Sequence, residues 1–127
     1  MGYKILIVDD SKLARMAVIK ALNALHPDWI RVEVSSADEA LRSVEQTAPD
    51  IALLDFNMPG RSGLDLAAEI RNLKPRMHVA VVSANHQQEI IDRAHALGTS
   101  FLAKPITEET LRTFLEDAVM RLERTAP

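Results

Sequence analysis

The stretch Ile5-Leu6-Ile7-Val8-Asp9-Asp10-Ser11 places four apolar residues directly before two aspartates. A β-branched run without polar alternation is typical of a strand that is covered on both faces, as in a parallel sheet. Ser11 is a suitable N-cap, and apolar residues recur at helical spacing from Leu13 to Leu25, before His26-Pro27-Asp28 interrupts them. The pattern predicts a buried strand followed almost directly by a helix.

Four further strand and helix pairs follow. The predicted strands are Arg31–Ser35, which alternates as an edge strand does, and the apolar runs Ile51–Leu54, His78–Ser83 and Ser100–Ala103. The predicted helices open at a capping box Ser36–Glu39, after the turn-rich segment 57–63, at a second capping box Asn85–Gln88, and at Thr107. Strict alternation of this kind predicts a doubly wound α/β fold, with a parallel sheet and helices on both faces.

Polar residues stand where four of the five predicted strands end. They are Asp9 with Asp10, then Asp55, Ser83 and Lys104. In open α/β sheets ligands bind at the carboxyl ends of the strands, so these side chains share one rim. Crowded carboxylates repel unless a cation neutralises them, Mg²⁺ prefers oxygen ligands, and a carboxylate can attack phosphorus to give an aspartyl phosphate. Each residue alone is also explained as a helix cap, a turn residue or a loop residue. Together on one rim they predict a Mg²⁺ and phosphoryl site.

Composition excludes several classes of function. The 127 residues include no cysteine, which rules out disulfides and thiolate chemistry, and the net charge of −3 provides no basic field for nucleic acid. The four histidines show no metal-ligand spacing. Apolar runs of about four residues are far shorter than the roughly 20 that span a bilayer, so we expect a cytoplasmic protein without membrane insertion.

From Lys4 to about Arg124 the sequence resembles the receiver domain of bacterial two-component response regulators, of the single-domain chemotaxis type. The resemblance is carried by Ile7–Ser11, by Asp55–Gly63, by Ser83-Ala84 and by Lys104-Pro105, in this order. It implies a flavodoxin-like fold with strand order 2-1-3-4-5 and five helices. We expect residues 1–127 to form one receiver domain without an output domain.

The resemblance also implies roles for the acidic residues. Asp55 would be the phosphoacceptor, taking a phosphoryl group from a histidine kinase, a histidine phosphotransfer protein or a small phosphodonor. The metal would be Mg²⁺, with Mn²⁺ as an alternative, bound by Asp10, by Asp9 mainly through water, by Asp55, and by the backbone carbonyl of Asn57. Apart from self-phosphorylation and autodephosphorylation, no enzymatic activity is expected.

Other residues take their expected roles from the same resemblance. Lys104 and Ser83 would stabilise the phosphoryl group, and Ser83 with Phe101 would form the conformational switch. Phe101 stands where tyrosine is commoner, so a phenolic hydroxyl contact is excluded. The Lys104-Pro105 peptide is expected to be cis.

Two surfaces are expected to bind proteins. Ala14 and Ile106 are candidates for docking the kinase. The face formed by the fourth helix, fifth strand and fifth helix is the expected contact for a downstream protein, and no nucleic acid is expected to bind directly. A phosphate sink or relay intermediate, which needs no such partner, is equally compatible with the sequence.

Two other classes of protein share parts of this pattern. Asp55-Phe56-Asn57 matches the Asp-x-Asp motif of haloacid dehalogenase phosphohydrolases, but that family places its nucleophile after the first strand. A nucleotide- or flavin-binding module would use the same scaffold, yet Asp9-Asp10-Ser11 replaces the glycine-rich loop after the first strand.

Overall fold

A computed structural model describes residues 2–125 as a five-stranded parallel sheet with helices on both faces. The strands are β1 (Lys4–Val8), β2 (Ile30–Val34), β3 (Ile51–Asp55), β4 (His78–Ser83) and β5 (Ser100–Ala103). The helices are α1 (Lys12–Leu25), α2 (Ala37–Thr47), α3 (Gly63–Leu73), α4 (Gln88–Ala96) and α5 (Glu108–Thr125). The sheet order β2-β1-β3-β4-β5 confirms the predicted fold class. Among these helices, none combines the length and apolar character needed to cross a bilayer.

Two apolar layers cover the sheet, one on each face. On β1, Ile5 and Ile7 pack in the layer that α1 and α5 share, whereas Leu6 and Val8 pack in the layer under α2, α3 and α4. Successive side chains of a strand point to opposite faces, and both faces of this sheet are covered by an apolar layer. The consecutive residues Ile5 to Val8 are therefore all apolar. This confirms the prediction from the opening stretch and places the carboxyl ends of the strands at one polar rim.

Two helix predictions are corrected by the structure. The second capping box is wrong, because α4 begins at Gln88 with Gln87 as its N-cap and without a side-chain cap. Instead, the Asn85 side chain accepts a hydrogen bond from the Gln87 amide at 3.1 Å, a local turn that competes with capping. The predicted apolar face of α1 also starts too early: Leu13 is 78% exposed, and the buried residues of α1 begin at Val18.

The amino ends of the strands are closed by an aromatic cluster and by local hydrogen bonds. Trp29 is buried, stacks on His26 with ring centroids 4.0 Å apart, and makes a T-shaped contact with Tyr3 at a centroid distance of 5.4 Å. The Asp50 carboxylate accepts the backbone N–H of Lys4 at 2.9 Å, and the Lys4 ammonium donates to the Thr47 carbonyl. The polar groups of Lys4 and Asp50 are therefore satisfied by the backbone.

Candidate functional site

Three carboxylates lie close together at the carboxyl ends of the strands. Asp9 and Asp10 follow β1, and Asp55 ends β3, which pairs with β1 in parallel. One oxygen from each carboxylate lies within 4.8 Å of the others. Asp9 and Asp55 are buried, whereas Asp10 is exposed to solvent. The structure thus brings together the three predicted acidic residues as an oxygen-donor set that a hard divalent cation such as Mg²⁺ prefers.

Lys104 bridges two of these carboxylates. Its Nζ lies 2.9 Å from Asp9 Oδ2 and 3.0 Å from Asp55 Oδ1. The Lys104 amide donates to the Ser83 carbonyl at 2.9 Å, which fixes the residue beside β4, and the Lys104-Pro105 peptide is cis. Burial alone would lower the pKa of Lys104, but hydrogen bonds and charge from Asp9 and Asp55 outweigh burial and raise it. Lys104 is therefore held as a cation inside the acidic cluster.

The pKa of Asp55 is raised above its ordinary value. Burial is the main cause and the charge of Asp9 adds to it, while the hydrogen bond and charge of Lys104 and the Asn57 backbone N–H oppose the rise. One ammonium does not compensate a buried carboxylate that has a second one beside it. The site therefore favours a further positive charge next to Asp55.

Arg15 makes a contact with the backbone of Asp9 that the sequence did not predict. Arg15 of α1 donates from Nη1 to the Asp9 backbone carbonyl at 2.6 Å, and its Nε lies 3.2 Å from Glu33 Oε1. The Asp9 side chain itself accepts the Ser11 amide at 2.9 Å. Lys104 on Oδ2 and Ser11 on Oδ1 thus fix the orientation of this carboxylate. No motif indicated Arg15, because arginine in the first turns of a helix is ordinary.

The loop after β3 folds tightly against Asp55. Gly63 opens α3 and donates to the Phe56 carbonyl at 2.9 Å. A Cβ at this position would lie 2.4 Å from the Asp55 carbonyl oxygen, which no side chain tolerates. Asn57 remains exposed within the loop that Gly63 closes. The glycine of the Asp55–Gly63 motif therefore allows the close approach that keeps Asn57 beside the carboxylate cluster.

Ser83 and Phe101 lie on adjacent strands at different depths. Ser83 is buried at 1% exposure, and its Oγ accepts the Asn85 amide at 2.9 Å. Phe101 is half-buried, packs on the apolar layer under α4, and meets the His86 ring edge to face at 6.3 Å. Both residues therefore contact the loop between β4 and α4, Ser83 through Asn85 and Phe101 through His86.

An apolar cavity of about 260 Å³ opens beside the acidic cluster. Asp9, Asp55 and Lys104 form its polar edge, while Ala14 of α1 and Ile106 of the loop after β5 belong to its apolar wall. The two residues predicted to dock a kinase are thus near neighbours of the carboxylates. The small side chains of early α1 border this space, which explains why the buried face of the helix starts late.

Comparison with known proteins gives a consistent result. Residues 5–116 match the sequence model of the response regulator receiver domain. The chain is 32% identical over 106 residues to the chemotaxis protein CheY of Thermotoga maritima, covering 83% of this chain and 88% of that protein. It is 33% identical over 121 residues to a glycerol metabolism activator of Pseudomonas putida, covering 94% of this chain and 53% of that protein. The chain therefore spans about half the length of the activator.

A solved structure supports the fold. The CheY-like receiver domain protein of Methanospirillum hungatei superposes with a TM-score of 0.89, covering 99% of this chain and 100% of the other at 21% sequence identity. At this identity the likeness shows the fold alone, and it covers every element described above.

Proposed function

This chain belongs to the response regulator receiver domain family of two-component systems, and we propose that Asp55 is the residue on which it accepts a phosphoryl group. The observation that carries the proposal is the position of the Asp55 carboxylate, which is buried at the end of β3 and 3.0 Å from Lys104 Nζ. At this position Asp55 can act as a nucleophile beside a fixed cation, Lys104, and two neighbouring carboxylates. These groups lie at the carboxyl ends of the strands, where open α/β sheets bind ligands.

Phosphoryl transfer to Asp55 would use Asp55, Lys104 and Ser83. An Asp55 carboxylate oxygen attacks phosphorus of a phosphohistidine on a kinase or phosphotransfer protein, or of acetyl phosphate. The new O–P bond forms as the bond from phosphorus to the donor breaks, and the donor atom leaves with the electron pair. A histidine nitrogen then takes up a proton, whereas acetate departs as the carboxylate anion. Lys104 then pairs with a phosphoryl oxygen instead of with the Asp55 carboxylate. The hydroxyl of Ser83, at the buried end of β4, would donate a hydrogen bond to the phosphoryl group.

The oxygen donors at the rim fit Mg²⁺, with Mn²⁺ as an alternative. Asp9, Asp10 and Asp55 would hold the ion through carboxylate oxygens and Asn57 through its backbone carbonyl. Bound there, the ion neutralises negative charge on the transferring group. The raised pKa of Asp55 is the feature of this chain that such a cation would relieve.

Two surfaces would connect this reaction to other proteins. Ala14 and Ile106 line the cavity beside Asp55, so a kinase that delivers its phosphohistidine to Asp55 would contact both. A second groove runs along the exposed edge of β5 between α4 and α5, and Phe101 lines it. A change at Ser83 and Phe101 on phosphorylation would alter this groove, which makes the α4-β5-α5 face the binding surface for a downstream protein.

Intact mass measurement after incubation with acetyl phosphate and Mg²⁺ tests the proposal. The unmodified protein is expected to gain one phosphoryl group, the Asp55→Asn variant none, and the Asp38→Asn variant as much as the unmodified protein. Asp38 is a suitable control because its exposed carboxylate belongs to α2 and not to the cluster of Asp9, Asp10 and Asp55. Phosphoryl gain by Asp55→Asn equal to that of Asp38→Asn would contradict the assignment. Chelation of the metal is expected to prevent the gain in the unmodified protein and in the Asp38→Asn variant.

A further inference from the structure

A polar cavity of about 330 Å³ lies at the amino ends of β4 and β5, away from Asp55. Four arginines, His78 and Gly98 form most of its wall; the arginines are Arg71, Arg76, Arg121 and Arg124. None of the described residues that line it is acidic. In a chain with 18 acidic and 15 basic residues, this local excess of positive charge runs against the overall balance.

Arg71 is fixed in place by backbone carbonyls. Its Nη1 donates to the carbonyls of Pro75 at 2.7 Å and Met77 at 3.0 Å, and its Nε donates to the Leu97 carbonyl at 3.4 Å. Carbonyl oxygens orient the guanidinium but leave its net charge in place. Gly98 adopts a φ of +78°, and a Cβ there would stand 3.3 Å from Arg71 Nη2. The missing side chain therefore leaves room beside one edge of a preorganised guanidinium group.

The positive field of the cavity acts on His78. The pKa of His78 is lowered, first by burial and then by the charges of Arg121 and Arg71, with Asp117 only partly opposing them. Asp117 also pairs with Arg121 at 3.1 Å, but both side chains are more than half exposed, so the pair is weak. An anion in this cavity would relieve the mutual repulsion of the arginines.

We propose that this cavity binds a ligand bearing a diphosphate group. Guanidinium groups match phosphate oxygens in fork geometry, and several of them around one space favour an anion with more than one negative phosphate. The volume of about 330 Å³ suits a small phosphorylated molecule. Inorganic pyrophosphate and a nucleoside diphosphate share this chemistry, and the two are separated by experiment.

The test is a titration of the isotope-labelled full chain by NMR, in buffer with a chelator so that the carboxyl rim holds no metal. Inorganic pyrophosphate is one arm and ADP is the other. We expect saturable shifts at the amides of His78 and Gly98 with no comparable shift at Asp9 or Asp55. Tighter binding of ADP than of pyrophosphate would assign the nucleotide, and equal or weaker binding would assign the free anion.

Matched variants complete the test. Arg76→Ala combined with Arg124→Ala removes two exposed arginines and is expected to weaken pyrophosphate binding by about tenfold or more. Arg42→Ala removes an exposed arginine of α2, outside the cavity, and should change affinity by less than about twofold. Absence of saturable shifts, equal weakening by Arg42→Ala, or binding of duplex DNA without binding of pyrophosphate would each overturn the proposal.

Discussion

The two ends of the sheet use the same residue types for different purposes. Asp50 precedes β3 and Asp55 ends it, while Lys4 opens β1 and Lys104 follows β5. At the amino end Asp50 accepts a backbone amide and Lys4 donates to a backbone carbonyl. At the carboxyl end Lys104 faces two carboxylates, and one of them, Asp55, has a raised pKa.

A charged group that bonds to backbone is satisfied by the fold itself. A buried carboxylate beside a second carboxylate is satisfied only in part, and the remaining imbalance favours a cation or a reaction that moves charge. The amino ends of β1 and β3 are therefore assigned to stability and the carboxyl end of the sheet to chemistry. Substitutions made in pairs, one at each end, test this division.

Trp29→Ala is expected to have the largest effect and to affect stability alone. Removal of a buried indole that stacks on His26 and contacts Tyr3 should lower the free energy of unfolding by about 3–5 kcal/mol. Denaturant unfolding followed by circular dichroism measures the loss. In conditions where the variant is folded, its rate of phosphorylation by acetyl phosphate should equal that of the unmodified protein. A slower rate in the folded variant would show that the two ends are coupled.

Lys104→Met is expected to slow phosphorylation by about 100-fold, because a fixed cation 3.0 Å from Asp55 is lost while the side-chain length is kept. The rate with acetyl phosphate and Mg²⁺, measured by intact mass over time, is the readout. Lys4→Met is the matched control at the other end and should leave that rate unchanged. Equal rates for the two variants would contradict a role for Lys104 in transfer.

Asp55→Asn is expected to raise the melting temperature by a few degrees at neutral pH without Mg²⁺. In the unmodified protein the pKa of Asp55 is raised in the folded state, so ionised Asp55 lowers stability at neutral pH. The neutral amide of asparagine removes that cost. Asp50→Ala should lower the melting temperature instead, because it removes the acceptor for the Lys4 amide. Thermal unfolding followed by circular dichroism measures both shifts.

The pH dependence of the same variant provides a further check. A raised folded pKa means that stability from Asp55 is present below its ordinary value of 3.8 and is lost as pH rises through the folded value. The advantage of Asp55→Asn should therefore be small in acid and grow toward neutral pH. An advantage that stays constant with pH would indicate a cause other than ionisation.

Most of the fold follows from apolar periodicity, since β1 is apolar from Ile5 to Val8, β3 is apolar from Ile51 to Leu54, and the sequence of β2 alternates at the sheet edge. The start of α4 was not predictable because Asn85 offers two local hydrogen-bond patterns, and only tertiary context selects the turn over the cap. At the site, the sequence placed Asp9, Asp55 and Lys104 on one rim. The distances between these three side chains could not be predicted from the sequence. The contact of Arg15 with the Asp9 carbonyl and the carbonyls that hold Arg71 were also not predictable, because no sequence motif marks those contacts.

The aromatic cluster also determines what can be seen by fluorescence. Trp29 is the only tryptophan of the chain, and it lies at the amino end of the sheet with its ring against His26. Intrinsic emission will thus change when the protein unfolds, whereas the proposed metal binding and phosphorylation at Asp55 would take place at the opposite end. Observing the reaction optically requires an indole introduced near the carboxyl rim, for which the half-buried ring of Phe56 is a suitable position.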